Sequence, residues 1–220
     1  EAVIVYRELA QHLEDGTANP EWLAVRIGRL TSSRVSDVFA TLKSGGEAAG
    51  RRNLRLELAL ERITGVSPKR EFVTQAMREG NEREPEAVML YQAVSGTLVD
   101  PIGFVQHDTL LAGYSPDGIV GEFEGLIEVK CPEPAAHCEY LAGKIPGDYM
   151  AQIVHALWLT GAGYCDFISY QPFFPDGKKL VVKRVERDDA AVAAHDKAVR
   201  GFLDEVDREI ERIGSLKGAA

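Results

Sequence analysis

Apolar residues recur at three- and four-residue steps through some stretches of the chain and at alternate positions through others, and the change of period divides it. Residues 22–28 form a short amphipathic piece. Thr31, Ser32 and Ser33 offer capping hydroxyls ahead of Val35, Val38 and Phe39, so a helix is expected there. Residues 43–50 read as a glycine-bearing loop. Leucines then alternate over residues 54–63, which suits helix or strand; the length and the Glu, Arg, Leu and Ala content favour helix. A further helix is expected over 76–94, with breaks at Gly80 and Pro85. Period two takes over at residues 97–107, 112–120 and 126–131, separated by turn signals such as Asp108 and Gly121, which predicts a meander of antiparallel strands. Helical spacing returns over 147–159, with Met150, Ile153, Val154, Leu157 and Trp158 on one side. Strands are expected at 165–170 and 180–185, joined by a turn containing Pro172 and Asp176-Gly177. Residues 188–213 carry Val192, Val199, Phe202, Val206, Ile210 and Ile213 on one stripe of an amphipathic helix. The class expected is α/β, a mixed central sheet flanked by helices.

No Pro/Gly/Ser-rich linker divides the 220 residues, so one domain is expected. It would have a helical part over about 1–95, a sheet-containing core over about 96–187 and a closing helix over about 188–213. Hydrophobic residues at 45% and charged residues at 27% exclude the disordered and fibrous classes. The longest uncharged apolar run, 153–164, contains His155 and two glycines and falls short of the roughly 20 residues that span a bilayer. No membrane span is expected, and the start shows no basic-then-apolar signal pattern. Cys131, Cys138 and Cys165 are odd in number and lack CxxC spacing, against both a disulfide framework and a zinc knuckle. They suit small apolar roles in a reducing cytoplasm.

A net charge of −9 speaks against nucleic acid, whose binding rests on Lys and Arg at phosphates. The distribution alters that. Residues 26–55 hold seven basic side chains against two acidic, and residues 188–213 hold eight acidic against four basic. One reading is an acidic exterior around a basic channel that confines DNA; the other is two solvated helices of opposite charge.

The segment richest in chemistry is Tyr114-Ser115-Pro116-Asp117-Gly118 followed by Leu126-Ile127-Glu128-Val129-Lys130-Cys131-Pro132. On a strand Glu128 and Lys130 share one face while Ile127 and Val129 point into the core. Asp117 would lie beside Glu128 if the two strands pair across a turn at 121–125. Two carboxylates so placed repel unless a cation sits between them, and hard oxygen ligands suit Mg²⁺ or Mn²⁺. A metal held by Asp117, Glu128 and the Val129 carbonyl would activate water and neutralise charge on a phosphoryl transition state. Lys130 would orient or help deprotonate that water, or stabilise the developing charge. The plain alternative is an exposed hairpin with a solvated Glu and Lys.

These residues resemble the PD-(D/E)xK nuclease superfamily, and more narrowly the phage lambda exonuclease and YqaJ-like viral recombinase group. The narrower likeness rests on five segments in order: Trp22-x3-Arg26-x-Gly28-x2-Thr31-x-Ser33, Gly80-x3-Glu84, Ser115-Pro116-Asp117-Gly118, Glu128-Val129-Lys130-Cys131-Pro132 and Tyr149-Met150-Ala151-Gln152. The resemblance implies a restriction-endonuclease-like core and Mg²⁺-dependent (or Mn²⁺-dependent) 5′-to-3′ digestion of one strand of duplex DNA at its ends, leaving 3′ single-stranded tails for recombination. It implies Asp117 and Glu128 as metal ligands, Glu84 at a second metal directly or through water, and Lys130 as catalytic lysine. Gln152 joins the catalytic set, and Arg26, Ser33, Ser115 and Gln152 would form the pocket for a 5′ phosphate. A homotrimeric ring threaded by DNA and a single-strand annealing protein as partner are implied in the same way.

Each residue also has a plainer role: Glu84 on a solvated helix face, Arg26 paired with Glu21 or Asp37, Ser33 as an N-cap, Gln152 in a structural hydrogen bond. Met77, seven residues or about 10 Å of helix before Glu84, would overlook the site and wedge against a terminal base pair, or else simply fill core. His12, His107, His137, His155 and His195 show no ligand spacing and are read as non-catalytic. A repair or resolvase nuclease of the same superfamily, or a catalytically silent DNA-binding protein on the same fold, are the competing functions.

Overall fold

The computed structural model describes residues 5–7, 9–13, 17–67 and 75–216, with the backbone alone at 5–7 and 75–77. In chain order it runs β1 (Val5–Arg7), α1 (Pro20–Arg26), β2 (Leu30–Thr31), a 3-10 helix (Ser32–Phe39), α2 (Ala49–Thr64), α3 (Gln75–Ser95), β3 (Phe104–Gln106), β4 (Ala112–Tyr114), β5 (Gly118–Val120) and β6 (Gly125–Lys130). There follow α4 (Pro134–Leu141), α5 (Gly147–Thr160), β7 (Tyr164–Tyr170), β8 (Leu180–Glu186) and α6 (Asp189–Ser215). The class is α/β, with mixed sheets flanked by helices.

The expected central sheet is two four-stranded sheets, in the orders β1-β3-β4-β2 and β5-β6-β7-β8. The division falls at Ser115-Pro116-Asp117, where Pro116 supplies no N–H to a ladder and the expected 112–120 strand separates into β4 and β5. Antiparallel hairpins form at β3/β4 and β5/β6, as a meander requires. The meander ends there, because β6 pairs in parallel with β7, from Gly125↔Tyr164 to Lys130↔Ser169. Parallel neighbours need a crossover, which α4 and α5 provide.

Several local features explain these elements. Asn19 caps α1 by accepting from the Glu21 N–H at 3.0 Å, with Pro20 at the first helical position. Ser32–Phe39 is a 3-10 helix whose cap residue, Thr31, makes no side-chain cap bond; Ser33 stands exposed, its hydroxyl 3.4 Å from that of Thr31. Helix α3 continues through Gly80 and Pro85, against the expected break. Asn81 and Pro85 are exposed, so water can take the carbonyl that Pro85 leaves unbonded, while Ala87 and Tyr91 bury the far half. Helix α4 was masked in the pattern by Pro132 and Pro134, yet Pro134 opens the helix and His137 and Tyr140 bury one face. Asp188 caps α6 by accepting from the Ala190 and Ala191 N–H groups at 2.9 and 3.2 Å.

Strand β6 runs between two apolar clusters. Leu126 joins Cys165, Phe167, α5 and α6 on one side. Ile127 and Val129 join Ile168, Tyr170, Ala87 and Tyr91 on the other. Gly118 in β5 is required by close approach, since a Cβ there would stand 2.3 Å from a methyl of Val99.

Part of the basic stretch is engaged within the chain. Arg51 donates to both oxygens of Glu205, at 2.7 and 3.0 Å, and Arg55 bonds Glu47 and Glu205. Arg62 reaches Asp207 at 2.7 Å, and Arg34 reaches Glu57 at 2.8 Å. The opposite charges of the two segments therefore clasp α2 against α6, because paired charges at a half-buried seam cost less than isolated ones. Among the described residues no helix is long and apolar enough to cross a membrane.

Candidate active site

Pairing of β5 with β6 sets Gly118 opposite Ile127 and brings the preceding Asp117 to the strand that carries Glu128 and Lys130. Asp117 Oδ2 accepts from the Val129 backbone N–H at 2.7 Å. Glu128, only 4% exposed, is gripped on both oxygens: Lys130 Nζ donates to Oε1 at 2.5 Å and Tyr114 Oη to Oε2 at 3.1 Å. A buried carboxylate needs such partners. The Lys130 ammonium also lies 5.1 Å from the ring centroid of Tyr149 on α5.

Charge makes Asp117, Glu128, Lys130 and Glu84 one group. Burial first, then the charges of Glu128 and Glu84, push the Asp117 carboxyl well above the ordinary carboxylate range, against the pull of Lys130 and the Val129 N–H. Burial raises Glu84 too; Lys130 draws it down and Glu128 pushes it up again, leaving a net rise. Burial alone would lower Lys130, but Glu128 and Asp117 outweigh it and hold the ammonium charged. Three acidic side chains thus lie within electrostatic reach of one another, with a single lysine among them.

Two of the four expected phosphate ligands also meet. Arg26 donates to Ser115 Oγ at 3.1 Å, Trp22 Nε1 donates to the same oxygen at 3.0 Å, and the Arg26 guanidinium stacks on the Trp22 ring at 4.1 Å. The position of Arg26 follows from Gly28, in the left-handed region at φ +70°, whose N–H donates to the buried Glu61 at 2.8 Å and whose carbonyl accepts from Arg62 at 2.9 Å. Those bonds fix the end of α1 on α2. Gln152 is half-buried on α5, three residues past Tyr149 and so on the same side of the helix. Neither Ser33 nor Gln152 is hydrogen-bonded to Arg26, and the Ser33 hydroxyl faces Thr31 instead. Met77 lies within the span of α3, but its side chain is outside the described residues.

Among the described residues no three His, Cys, Asp or Glu side chains already converge as a metal-binding set. Asp117 Oδ2 accepts from Val129, and the two Glu128 oxygens accept from Lys130 and Tyr114.

A family model described as the YqaJ-like viral recombinase domain matches residues 21–163. The chain belongs to the YqaJ-like viral recombinase family. An alkaline exonuclease (LHK-Exo) from Laribacter hongkongensis is 39% identical over 89% of this chain and 96% of its own, with a TM-score of 0.80; its complex with dAMP gives the same values. A phage related exonuclease from Haemophilus somnus 129PT, at 14% identity and a TM-score of 0.68 over 84% of this chain and 96% of that one, shows a shared fold. No curated protein matches the sequence. The likeness to the alkaline exonuclease agrees with a restriction-endonuclease-like core. The YqaJ-like stretch contains Arg26, Ser33, Glu84, Ser115, Asp117, Glu128, Lys130 and Gln152, whereas β7, β8 and α6 follow it.

Three side chains at the site had no role assigned from sequence: Trp22, Tyr114 and Tyr149. Trp22 stood in the first recognised segment and Tyr149 in the last, and Tyr114 directly precedes Ser115. Position in those segments was the available signal; the bonds they make depend on strand and helix packing.

Proposed function

We propose that this chain is a divalent-metal-dependent deoxyribonuclease that digests linear duplex DNA from its ends, 5′ to 3′, leaving 3′ single-stranded tails for recombination. The observation that carries the reading is the seating of Asp117 on the Val129 N–H, beside the strand on which Lys130 bonds Glu128, with the Asp117 carboxyl raised first by burial and then by Glu128 and Glu84. Similarity to an alkaline exonuclease at 39% identity supports the reaction class.

The donor set fits a hard cation, because oxygen ligands with surplus negative charge are what Mg²⁺ or Mn²⁺ relieves. Asp117, Glu128 and the Val129 carbonyl would hold it, with Glu84 serving a second ion directly or through water. When bound, the metal supplies Lewis-acid stabilisation of charge on the phosphoryl oxygens. Lys130, kept protonated by Glu128 and Asp117, would orient the attacking water and stabilise charge on the phosphate. Tyr114 holds the Glu128 carboxylate so that its other oxygen stays at Lys130.

Arg26 and Ser115, with Ser33 and Gln152, would receive a terminal 5′ phosphate, since a guanidinium and hydroxyl donors match phosphate oxygens. A homotrimeric ring and an annealing-protein partner rest on family resemblance. Light scattering at three times the chain mass is the outcome the ring requires.

The deciding experiment is digestion of end-labelled linear duplex, with and without a 5′ phosphate, in Mg²⁺, in Mn²⁺ and in chelator. Expected are loss of label from phosphorylated 5′ ends in either metal and none in chelator. Hydrolysis that persists in chelator, or no hydrolysis in either metal, overturns the proposal.

A further inference from the structure

The loop between β7 and β8 carries a ring that packing does not explain. Phe173 is 79% exposed, the most exposed aromatic among the described side chains. Exposure of this kind on a loose loop would mean little. This loop is tied at both ends: Gln171 Nε2 donates to the Pro132 carbonyl at 2.8 Å, and the Gln171 N–H donates to the Lys179 carbonyl at 2.9 Å. The Phe173 N–H is aimed at Gln171 Oε1 at 3.4 Å, and the next ring, Phe174, packs edge-on against His137 at 4.7 Å. His137 in turn bonds the Lys178 carbonyl at 2.8 Å. Phe174 is thus the anchoring ring and Phe173 the presented one.

What stands beside Phe173 narrows its use. The Arg83 guanidinium lies 5.8 Å from the ring centroid and is also bonded to Glu79 at 3.1 Å. Arg83 immediately precedes Glu84, and its charge acts on the thiol of Cys131, the neighbour of Lys130. Pro132, which holds the loop, is two residues past Lys130. A flat apolar face flanked by a cation is the pair of features with which proteins bind unpaired nucleic-acid strands, the ring for a base and the cation for the backbone. A protein partner would require a wider apolar patch than one ring.

We infer that Phe173, flanked by Arg83, is a stacking platform for an unpaired nucleobase of the DNA strand lying beside the Asp117–Glu128–Lys130 site. The inference rests on the reading of the chain as a DNA nuclease and adds a binding element to it. A base inside a duplex already has neighbours on both faces, so the platform selects frayed ends and single-stranded segments over paired DNA.

The test measures binding of a dye-labelled single-stranded oligonucleotide to the full chain in chelator, where digestion is suppressed, and of an abasic strand of equal length. Phe173→Ala should weaken binding of the intact strand about 10-fold, within the range for loss of one base–aromatic stack. Phe173→Trp should restore it, and on the abasic strand all three proteins should bind alike. Because the ring is exposed, both variants should melt with the parent protein. Equal affinity of Phe173→Ala and parent for the intact strand overturns the inference, as does an equal loss on the abasic strand. Digestion of duplex in Mg²⁺ is followed in parallel. Digestion without a base-dependent effect of Phe173 overturns the platform alone, a base-dependent effect without digestion overturns the nuclease reading alone, and absence of both overturns both.

Discussion

Tyr114 donates its hydroxyl to Glu128 Oε2 at 3.1 Å from inside the core, being itself only 1% exposed. A hydrogen bond to a charged group contributes about 1.5–3 kcal/mol, so its loss should be felt at the carboxylate more than in the packing. Tyr114→Phe, which keeps the ring, is expected to lower turnover roughly 10-fold and to raise the Mg²⁺ concentration giving half-maximal rate. An unaltered rate and metal requirement would make Tyr114 a core ring only.

Asp117→Ala, Glu128→Ala and Lys130→Ala are each expected to reduce hydrolysis by at least about 100-fold, in line with loss of charge stabilisation at a reacting phosphate. Circular dichroism should remain that of the folded chain. Glu84→Ala should belong to the same group with more residual activity. Turnover at the parent rate in any of the first three would displace the site.

Removal of the Arg26 side chain leaves Ser115 bonded to Trp22 at 3.0 Å, so the local backbone should hold. Arg26→Ala should therefore reduce the preference for 5′-phosphorylated over 5′-hydroxyl ends by roughly 10-fold, the weight of a charge-assisted bond. The quantity to compare is the ratio of the two rates. Equal slowing of both ends would assign Arg26 to general DNA contact or to structure.

Acid should weaken the chain through a histidine pair remote from the proposed chemistry. His155 Nδ1 and His195 Nε2 lie 2.9 Å apart between α5 and α6, one donating and the other accepting. Burial, reinforced by His195, holds His155 well below the usual histidine range, and burial takes His195 to about 4 despite Asp196. An unfolded histidine titrates near 6.5, so between about 6.5 and 4 the unfolded chain binds protons that the folded chain refuses. Stability is then complete above about 6.5 and falls with decreasing pH, by up to about 1.4 kcal/mol per pH unit for each ring. His195→Gln keeps a hydrogen-bonding group without a titrating ring. Its melting temperature should fall less between pH 7 and pH 5 than that of the parent; parallel curves would refute the assignment.

Much of the site was legible because its signals are local. Glu128 and Lys130 share a strand face by alternation alone, and the turn at Gly121 carries Asp117 back to them. The helices α2, α5 and α6 were legible for the same reason, since their apolar spacing spans several turns. Strands of two or three residues, β1 and β2, are too short to show a period. The division of the sheet at Pro116 and the parallel β6/β7 pairing depend on partners distant in sequence. So do the bonds of Tyr114, 14 residues from Glu128 and on another sheet, and of Trp22, 93 residues from Ser115. The charge asymmetry was visible as composition, but that Arg51 would meet Glu205 was not.

That last pair spans 154 residues, which gives the seam a meaning in time as well as in space. During synthesis α2 emerges with its arginines long before any part of α6 exists to receive them, and its buried leucines, Leu54 and Leu58, wait for Phe202 and Val206 in the same cluster. Contacts of such long range form late and slow the approach to the native state. A ribosome-bound chain halted before Glu205 should therefore remain sensitive to protease in α2, and acquire resistance there once α6 has cleared the exit tunnel.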